Sequence, residues 1–293
     1  MTTPLAKHKL MQSGLLSRTA LASAFHRAAH QVLEQGCIFY DPLALRILGK
    51  DAETAIRKAE MHPSKRRMRI FIAVRTRFAE DALADAVEHG VSQLVILGAG
   101  LDTYAYRSPF GDRLHIFEVD HPATQAWKRQ RLAEAAILPP NWLTFAPVDF
   151  EHETLADRLV ATGFDTKQET FFTWLGVIPY LTETAIWSTL RYIASLPNGA
   201  HVVFDYTNPP ASFSIGMRIA YNRRATRVAK LGEAFVTHFE TEKLNDKLTA
   251  LGYVHIEDLG PPQIVARFYS DPTSPVNRNG GHVLHASTIK VTF

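Results

Sequence analysis

Two glycines and three acids carry the chemistry this chain could do. Gly98-Ala99-Gly100 closes the apolar run Leu94-Val95-Ile96-Leu97, and Asp102 follows at once. A short apolar run ending in glycines reads as a buried parallel strand turning towards a helix. Gly98 and Gly100 remove the side chains that would hold a ligand off the backbone. Such a turn suits a nucleotide-type cofactor lying across the carboxyl end of the first strand of a doubly wound sheet. Asp120 closes the next strand-like run, 22 residues after Gly98, and Asp149 closes the one after that. At the second strand end a carboxylate can accept hydrogen bonds from both ribose hydroxyls. At the third, the Asp149 carboxylate can accept from an adenine amino group, with a backbone N–H at Phe150 for a ring nitrogen.

The second-strand acid alone leaves a dinucleotide dehydrogenase as an equal candidate. Two details favour S-adenosylmethionine. Thr103 occupies the third glycine position of G-x-G-x-x-G, and Asp102 would repel a pyrophosphate. A cofactor with sulfonium and ammonium cations and no phosphate tolerates or favours that acid, and Asp149-Phe150 supplies the adenine end. The competing readings are an NAD(P)-dependent oxidoreductase on the same glycine turn and a non-catalytic protein that keeps the cofactor without turnover.

The elements that must position these residues change character near residue 90. Before it the pattern is helical. Leu21, Phe25, Ala28 and Val32 repeat over 18–35, with Ser17 able to cap and Gly36 to end the helix. Asp41-Pro42 opens a short helix before Gly49, and a long helix spans about 64–88 between Pro63 and Gly90. Within it, Phe71, Arg75, Phe78 and Ala82 share a face, so Arg75 points to the apolar side and needs an anionic partner. Arg77 has Asp81 four residues on for a surface pair.

After it, strands 94–97, 114–120, 143–150, 170–177 and 201–206 alternate with helices 122–136, 151–162 and 183–195, implying a mainly parallel sheet. Residues 252–260 and 282–293 read as two strands without a helix between them, pairing antiparallel at one edge. The expected organisation is a helical cap over 1–89 and a cofactor-binding α/β domain over 90–293. Its insertion, 207–238, is too long for a simple connection. It carries Arg218, Tyr221, Arg223, Arg224 and Arg227, and is expected to cover the ligand crevice as a lid.

Composition narrows the classes. The chain has 293 residues, 46% hydrophobic and 21% charged, with a net charge of +3. That mild charge and the lack of a long basic run give no call for nucleic acid. The stretch Lys65-Arg66-Arg67-Met68-Arg69 reads as a solvated helix start or as attraction for an anionic substrate. Cys37 alone excludes a disulfide framework and a cysteine-rich zinc site and fits a reducing compartment. No segment reaches the ~18 apolar residues of a membrane span and none reads as a signal peptide, so a cytoplasmic location is expected. His26 with His30, and His282 with His285, read as solvent-facing or hydrogen-bonded pairs, since no third metal ligand is evident. His121 reads as a local helix cap, Tyr104 and Tyr106 as packing residues. No serine has the G-x-S-x-G context of a hydrolase.

GAGLDTYAYR, FEVDHPATQAWKRQRL, VDFE and FFTWLGVIPYLT, in that order, together resemble the leucine carboxyl methyltransferase family. So do YDPLALRILG and VRTRFAEDAL in the helical region, and the likeness runs from about Thr19 to Tyr206. The resemblance implies a class I methyltransferase fold, a Rossmann-like doubly wound sheet in the order 3-2-1-4-5-7-6 with strand 7 antiparallel. It also implies S-adenosyl-L-methionine as cofactor. By position, Gly98 and Ala99 should line the methionine moiety, Asp120 the ribose, and Asp149 and Phe150 the adenine. Arg75 matches an arginine that binds the cofactor carboxylate. Leu175 stands where many relatives have an acid for the ammonium group, leaving Asp102 or backbone carbonyls for that task. Tyr180 matches a tyrosine near the methyl-transfer site.

Tyr206 and Asp205 are expected to face the substrate crevice, and Tyr206 and Arg223 are the candidate acceptor contacts. A carboxylate acceptor is already ionised at pH 7 and needs no general base. It needs arginines or tyrosine hydroxyls to bind it, which suits Tyr180 and the basic lid. The expected activity is therefore methyl transfer to an oxygen of a small molecule, a carboxylate before a phenol.

Overall fold

The computed structural model describes residues 18–150, 152–229, 234–269 and 278–290. Ser17, the expected cap, and the last three residues of the expected final strand lie outside them. Seven strands form one sheet: β1 (Gln93–Leu97), β2 (His115–Asp120), β3 (Leu143–Pro147), β4 (Thr170–Trp174), β5 (Ala200–Thr207), β6 (His255–Leu259) and β7 (Gly281–Ser287). Their order is β3-β2-β1-β4-β5-β7-β6. β1 to β5 pair parallel, and β7 lies antiparallel between β5 and β6. That is the order and the antiparallel strand the motifs implied.

Strand alternation sends neighbouring residues to opposite faces, and helices cover both. On one face α3 (Arg66–Glu88) packs Ile70, Val74 and Phe78 against Leu94, Ile96, Phe171 and Val203. On the other, α5 (Leu155–Ala161), α6 (Glu183–Ala194) and α8 (Thr241–Ala250) pack Leu159, Ile186, Leu190 and Leu248 against Val95, Phe117, Phe172 and Val202. Each of these side chains is fully or nearly fully buried, and burying a Leu, Ile or Phe contributes about 1.5–3 kcal/mol. A third cluster joins α1 (Arg18–Leu33), α2 (Asp51–Glu60) and α4 (Pro122–Glu134) through Ala28, Leu48, Ala55, Leu101 and Leu132. The remaining helices are α7 (Ile215–Ala229) and α9 (Pro261–Phe268). None of the described helices is long and apolar enough to cross a membrane.

Four local expectations are corrected. The stretch after Asp41-Pro42 is a turn and a single 3-10 turn over Arg46–Leu48, and the helix of that region is α2, later in the chain. A helix, α9, does lie between the last two strands. Its two leading prolines are tolerated because, in a first helical turn, the missing N–H has no partner to lose. In α1 the buried face runs through Ala24, Arg27, Ala28 and His30, while Val32 is 44% exposed. Ala28 is in the third cluster and Leu21 and Phe25 pack against it, so the expected face fails only at Val32. The long connection 207–238 holds α7, and its residues 230–233 lie outside the described residues.

Candidate functional site

The glycine turn is built for close approach. Gly98 and Gly100 have φ of +69° and +46°, in the left-handed region glycine enters without strain. A Cβ on Gly98 would lie 2.4 Å from Val177 Cγ2, and one on Gly100 3.0 Å from the Cβ of Ala20 in α1. The turn is tied to β2, because Gly98 N–H and Ala99 N–H both donate to the Val119 carbonyl at 2.8 and 3.1 Å. Asp120 extends that tie. Its carboxylate accepts from the Gly100 N–H at 2.6 Å and from its neighbour His121 N–H at 2.7 Å. Burial pushes the Asp120 carboxyl up, while these two amides oppose the shift.

Asp102 is held from two sides. It accepts from the Tyr104 N–H at 2.8 Å and pairs with Arg27 of α1 at 3.4 Å. Burial alone would raise its pKa, but Arg27, Lys128 and Arg107 together outweigh it and hold the carboxyl below the usual range. Arg27 also reaches Asp41 and the Leu101 carbonyl. Thr103, at the missing third glycine, donates to Asp41 at 2.7 Å. The departure from G-x-G-x-x-G thus anchors the N-terminal segment beneath the turn.

Arg75 leaves α3 for the carboxyl ends of β4 and β5. It pairs with Asp205 at 2.8 Å and donates to Ser23 at 3.0 Å. Asp205 is the anionic partner its position asked for, and Asp205 also accepts from the Gly176 N–H. Gly176 is required there, since a Cβ would lie 2.7 Å from an Arg75 guanidinium nitrogen. The Arg75 Nε is buried and has no hydrogen-bond partner, while the residue lines the cavity.

Gly98, Gly100, Asp102, Asp120, Arg75, Asp205 and Gly176 line one cavity of about 2440 Å³, which also takes in Asp149, Phe150, Leu175, Tyr180 and residues of α1, α3 and α7. A ligand pocket commonly measures about 300–1,000 Å³, so there is room for a cofactor and an acceptor together. Its acids gather at the strand ends, where Asp102, Asp120, Asp149, Glu153 and Asp205 line it with Arg27 and Arg75 paired to two of them, whereas Lys65, Arg66, Arg67, Arg223, Arg224 and Arg227 line it from the start of α3 and from α7.

Two expected acceptor contacts are redistributed. Tyr206 does not line the cavity. It is 1% exposed, turned to the other face of β5, and its hydroxyl donates to Asp258 at 2.6 Å beside His282 and Thr241. Asp205 and Tyr206 are adjacent on a strand, so only one could face the crevice, and Asp205 does. Arg223 lies at the cavity but is exposed. Its neighbour Arg224 turns inward, hydrogen-bonded to Tyr180 and lying 5.0 Å over the Phe235 ring. Burial lowers its pKa. Tyr180 and Tyr221 flank the same Phe235 ring at 5.4 and 5.7 Å. Helical spacing was the signal for this side: Met217, Ala220, Tyr221, Arg224 and Val228 fall on one stripe of α7, and all five line the cavity.

The histidines also separate. His121 caps α4 as expected, accepting from the Ala123 N–H. His30 is buried against Glu34, but His26 lines the cavity. Burial, then Arg224, Arg69, Lys65 and Arg75, lower the His26 pKa to about 4. His282 and His285 are buried and hydrogen-bonded rather than solvent-facing.

Comparison with known proteins agrees with this architecture. The profile of the family described as "Leucine carboxyl methyltransferase" matches residues 20–194. YktD of Bacillus subtilis (strain 168), provisionally named an S-adenosyl-L-methionine-dependent methyltransferase, is 30% identical over 286 residues, covering 89% of this chain and 94% of its own. A protein of the same provisional name from Mycobacterium marinum (strain ATCC BAA-535 / M) is 31% identical over 232 residues, covering 75% and 76%. Among solved structures, a DUF574 family protein from Streptomyces avermitilis MA-4680 shares the fold at a TM-score of 0.51 and 14% identity, over 89% of this chain and 95% of that one. The chain therefore belongs to the leucine carboxyl methyltransferase family of S-adenosylmethionine-dependent methyltransferases.

Proposed function

We propose that this methyltransferase acts on an oxygen, and that the oxygen belongs to the carboxylate of a small-molecule acceptor bound beneath α7. The observation that carries this reading is how charge is distributed around the cavity. A floor of strand-end acids suits the sulfonium and ammonium of the cofactor, and a basic roof from α7 and the start of α3 suits an anion delivered from the other side.

In the same reading Asp120 accepts from the ribose hydroxyls, and Asp149 and the Phe150 amide hold the adenine. Gly98, Ala99 and Gly100 let the cofactor lie against the backbone, and Arg75, which lines the cavity beside Asp205, holds the cofactor carboxylate. Asp102 is already shared between Arg27 and the turn, so it adds negative potential rather than a direct contact. Asp205, hydrogen-bonded at Gly176, brings a carboxylate beside Leu175, where relatives have an acid of their own.

When bound, S-adenosylmethionine supplies an electrophilic methyl group on sulfur. Transfer to an acceptor carboxylate would form an O–CH₃ bond at the expense of the C–S bond and would ask no proton transfer of the protein. The chain's task is alignment. Arg224 and Tyr180 hold one carboxylate oxygen and leave the other to attack. A phenol would instead need a base, and His26 is the cavity residue that could offer one. With a pKa of about 4 it is a weak acceptor for a phenol proton near 10, which favours the carboxylate.

The test is to incubate the protein with methyl-labelled S-adenosylmethionine and a panel of small carboxylic acids and phenols. Label transferred to carboxylic acids and released as methanol by mild alkali is the expected result. Alkali-stable label transferred only to phenols would overturn the acceptor assignment while leaving the methyltransferase intact.

A further inference from the structure

We propose that His255, Glu257 and His285 form a site for a divalent transition-metal ion, zinc foremost, at the end of the sheet remote from the cofactor turn. The strand register assembles it. Glu257 stands directly opposite His285 across the β6–β7 pair, and His255 lies two residues before Glu257 on β6. Opposed residues and residues two apart share one face of a sheet, so all three project together. One ligating atom from each lies within 4.8 Å of the others. Two imidazole nitrogens and a carboxylate oxygen are a donor set zinc accepts, with water in the fourth position. Bonds of about 2.0–2.2 Å require these atoms to draw closer, which the half-buried side chains of His255 and Glu257 can do by rotation.

His285 is prepared for this role by a relay behind it. Glu169 Oε1 and His201 Nε2 lie 2.9 Å apart, and His201 Nδ1 and His285 Nε2 lie 3.2 Å apart. An ionised carboxylate only accepts, so the proton of a neutral His201 sits on Nε2 and its Nδ1 is an acceptor. His285 then donates from Nε2, and its Nδ1 is left with a lone pair. A hydrogen-bonded partner that fixes a histidine's tautomer is how metal ligands are commonly held. The ring is also immobilised, buried and stacked on His201 with centroids 5.4 Å apart. Glu257 accepts from Arg267 at 2.8 Å, but both groups are a third or more exposed, and a carboxylate has a second oxygen to give.

The ion would fasten β6, the edge strand, to β7. His201 opens β5, whereas Asp205 and Thr207 close it beside the cavity, so the site serves stability rather than methyl transfer. The test is zinc titration of chelator-treated, full-length protein, read by bound metal per chain and by thermal unfolding. One tightly bound ion per chain is expected, with a Tm rise of about 5 °C at a hundredfold excess over the dissociation constant. Glu257→Gln and His255→Ala, both at half-buried positions, should keep the metal-free Tm and the methyltransferase rate and lose the zinc-dependent rise. Glu169→Gln should weaken binding about 10–100-fold. A rise of the same size in His255→Ala, or no stoichiometric zinc in the wild type, would overturn the site.

Discussion

The floor and the roof of the cavity are made of different materials. At the floor, the carboxyl ends of β1 and β2 are joined by backbone N–H groups: Gly98 and Ala99 to Val119, and Gly100 to Asp120. At the roof, α7 presents long side chains, with Arg224 reaching Tyr180 and Tyr221 reaching His238. Its return segment is tied down by Val236 N–H to the Pro179 carbonyl at 2.7 Å and Phe239 N–H to the Thr207 carbonyl at 3.1 Å. Backbone bonds between strands fix positions that side-chain changes barely move, so the floor is the preorganised half. The roof is held at its ends and populated by rotatable arginines, so small changes of sequence can retune it. In the function proposed above, cofactor binding falls to the first material and acceptor choice to the second.

That contrast can be broken by experiment. The largest expected effect is at the floor. Asp120→Ala removes the anchor for Gly100 and the charge-assisted hydrogen bonds proposed to the ribose, each charged bond contributing about 1.5–3 kcal/mol. Calorimetric titration should show S-adenosylmethionine binding weakened roughly 100-fold or more; unchanged affinity in a folded variant would remove Asp120 from the ribose.

At the roof, Arg224→Gln should lower kcat/KM for a carboxylate acceptor about 10–100-fold, consistent with loss of one half-buried charged contact. Cofactor affinity should change less than twofold. Arg223→Gln, exposed beside it, should change either quantity by less than about threefold. Equal losses in the two variants would mean that the roof acts through net charge and not through Arg224.

A smaller effect comes from the field the roof imposes on His26. Its folded-state pKa is about 4 against an ordinary 6.5, so between pH 6.5 and 4 the unfolded chain takes up a proton that the folded chain refuses. Stability present above pH 6.5 is therefore lost as pH falls through that window, by roughly 1–2 kcal/mol for this group. Urea unfolding of the wild type and of His26→Gln at pH 7 and pH 4.5 measures it. A variant with the same acid loss would show that His26 is not the group responsible.

The smallest effect tests the correction at β5. Tyr206→Phe deletes the hydroxyl that donates to Asp258, costing about 1–2 kcal/mol of stability, with acceptor KM unchanged. A raised KM at unchanged stability would return Tyr206 to the substrate.

Much of the floor was legible in the residues. An apolar run into Gly98-Ala99-Gly100, with acids closing the next two strands, demands a parallel sheet and a ligand lying on its backbone, because those signals are local in the chain. The expected Arg77–Asp81 pair is there at 2.7 Å for the same reason. Arg75 was legible only in part. Its helical face said that it pointed inward, but its partner Asp205 lies 130 residues away, and no spacing connects them. The exposed Val32 and buried Arg27 of α1 show the same limit, since a helix whose inward face is charged has its partners elsewhere in the chain.

Short-range patterns of apolar runs, glycines and strand-end acids were enough for the sheet, the glycine turn and the family. Tertiary structure decided which of two neighbouring arginines enters the cavity, which side of β5 faces it, and that His201, His255 and His285 meet. Those outcomes depend on strand register and helix rotation, set by packing between segments far apart in the chain.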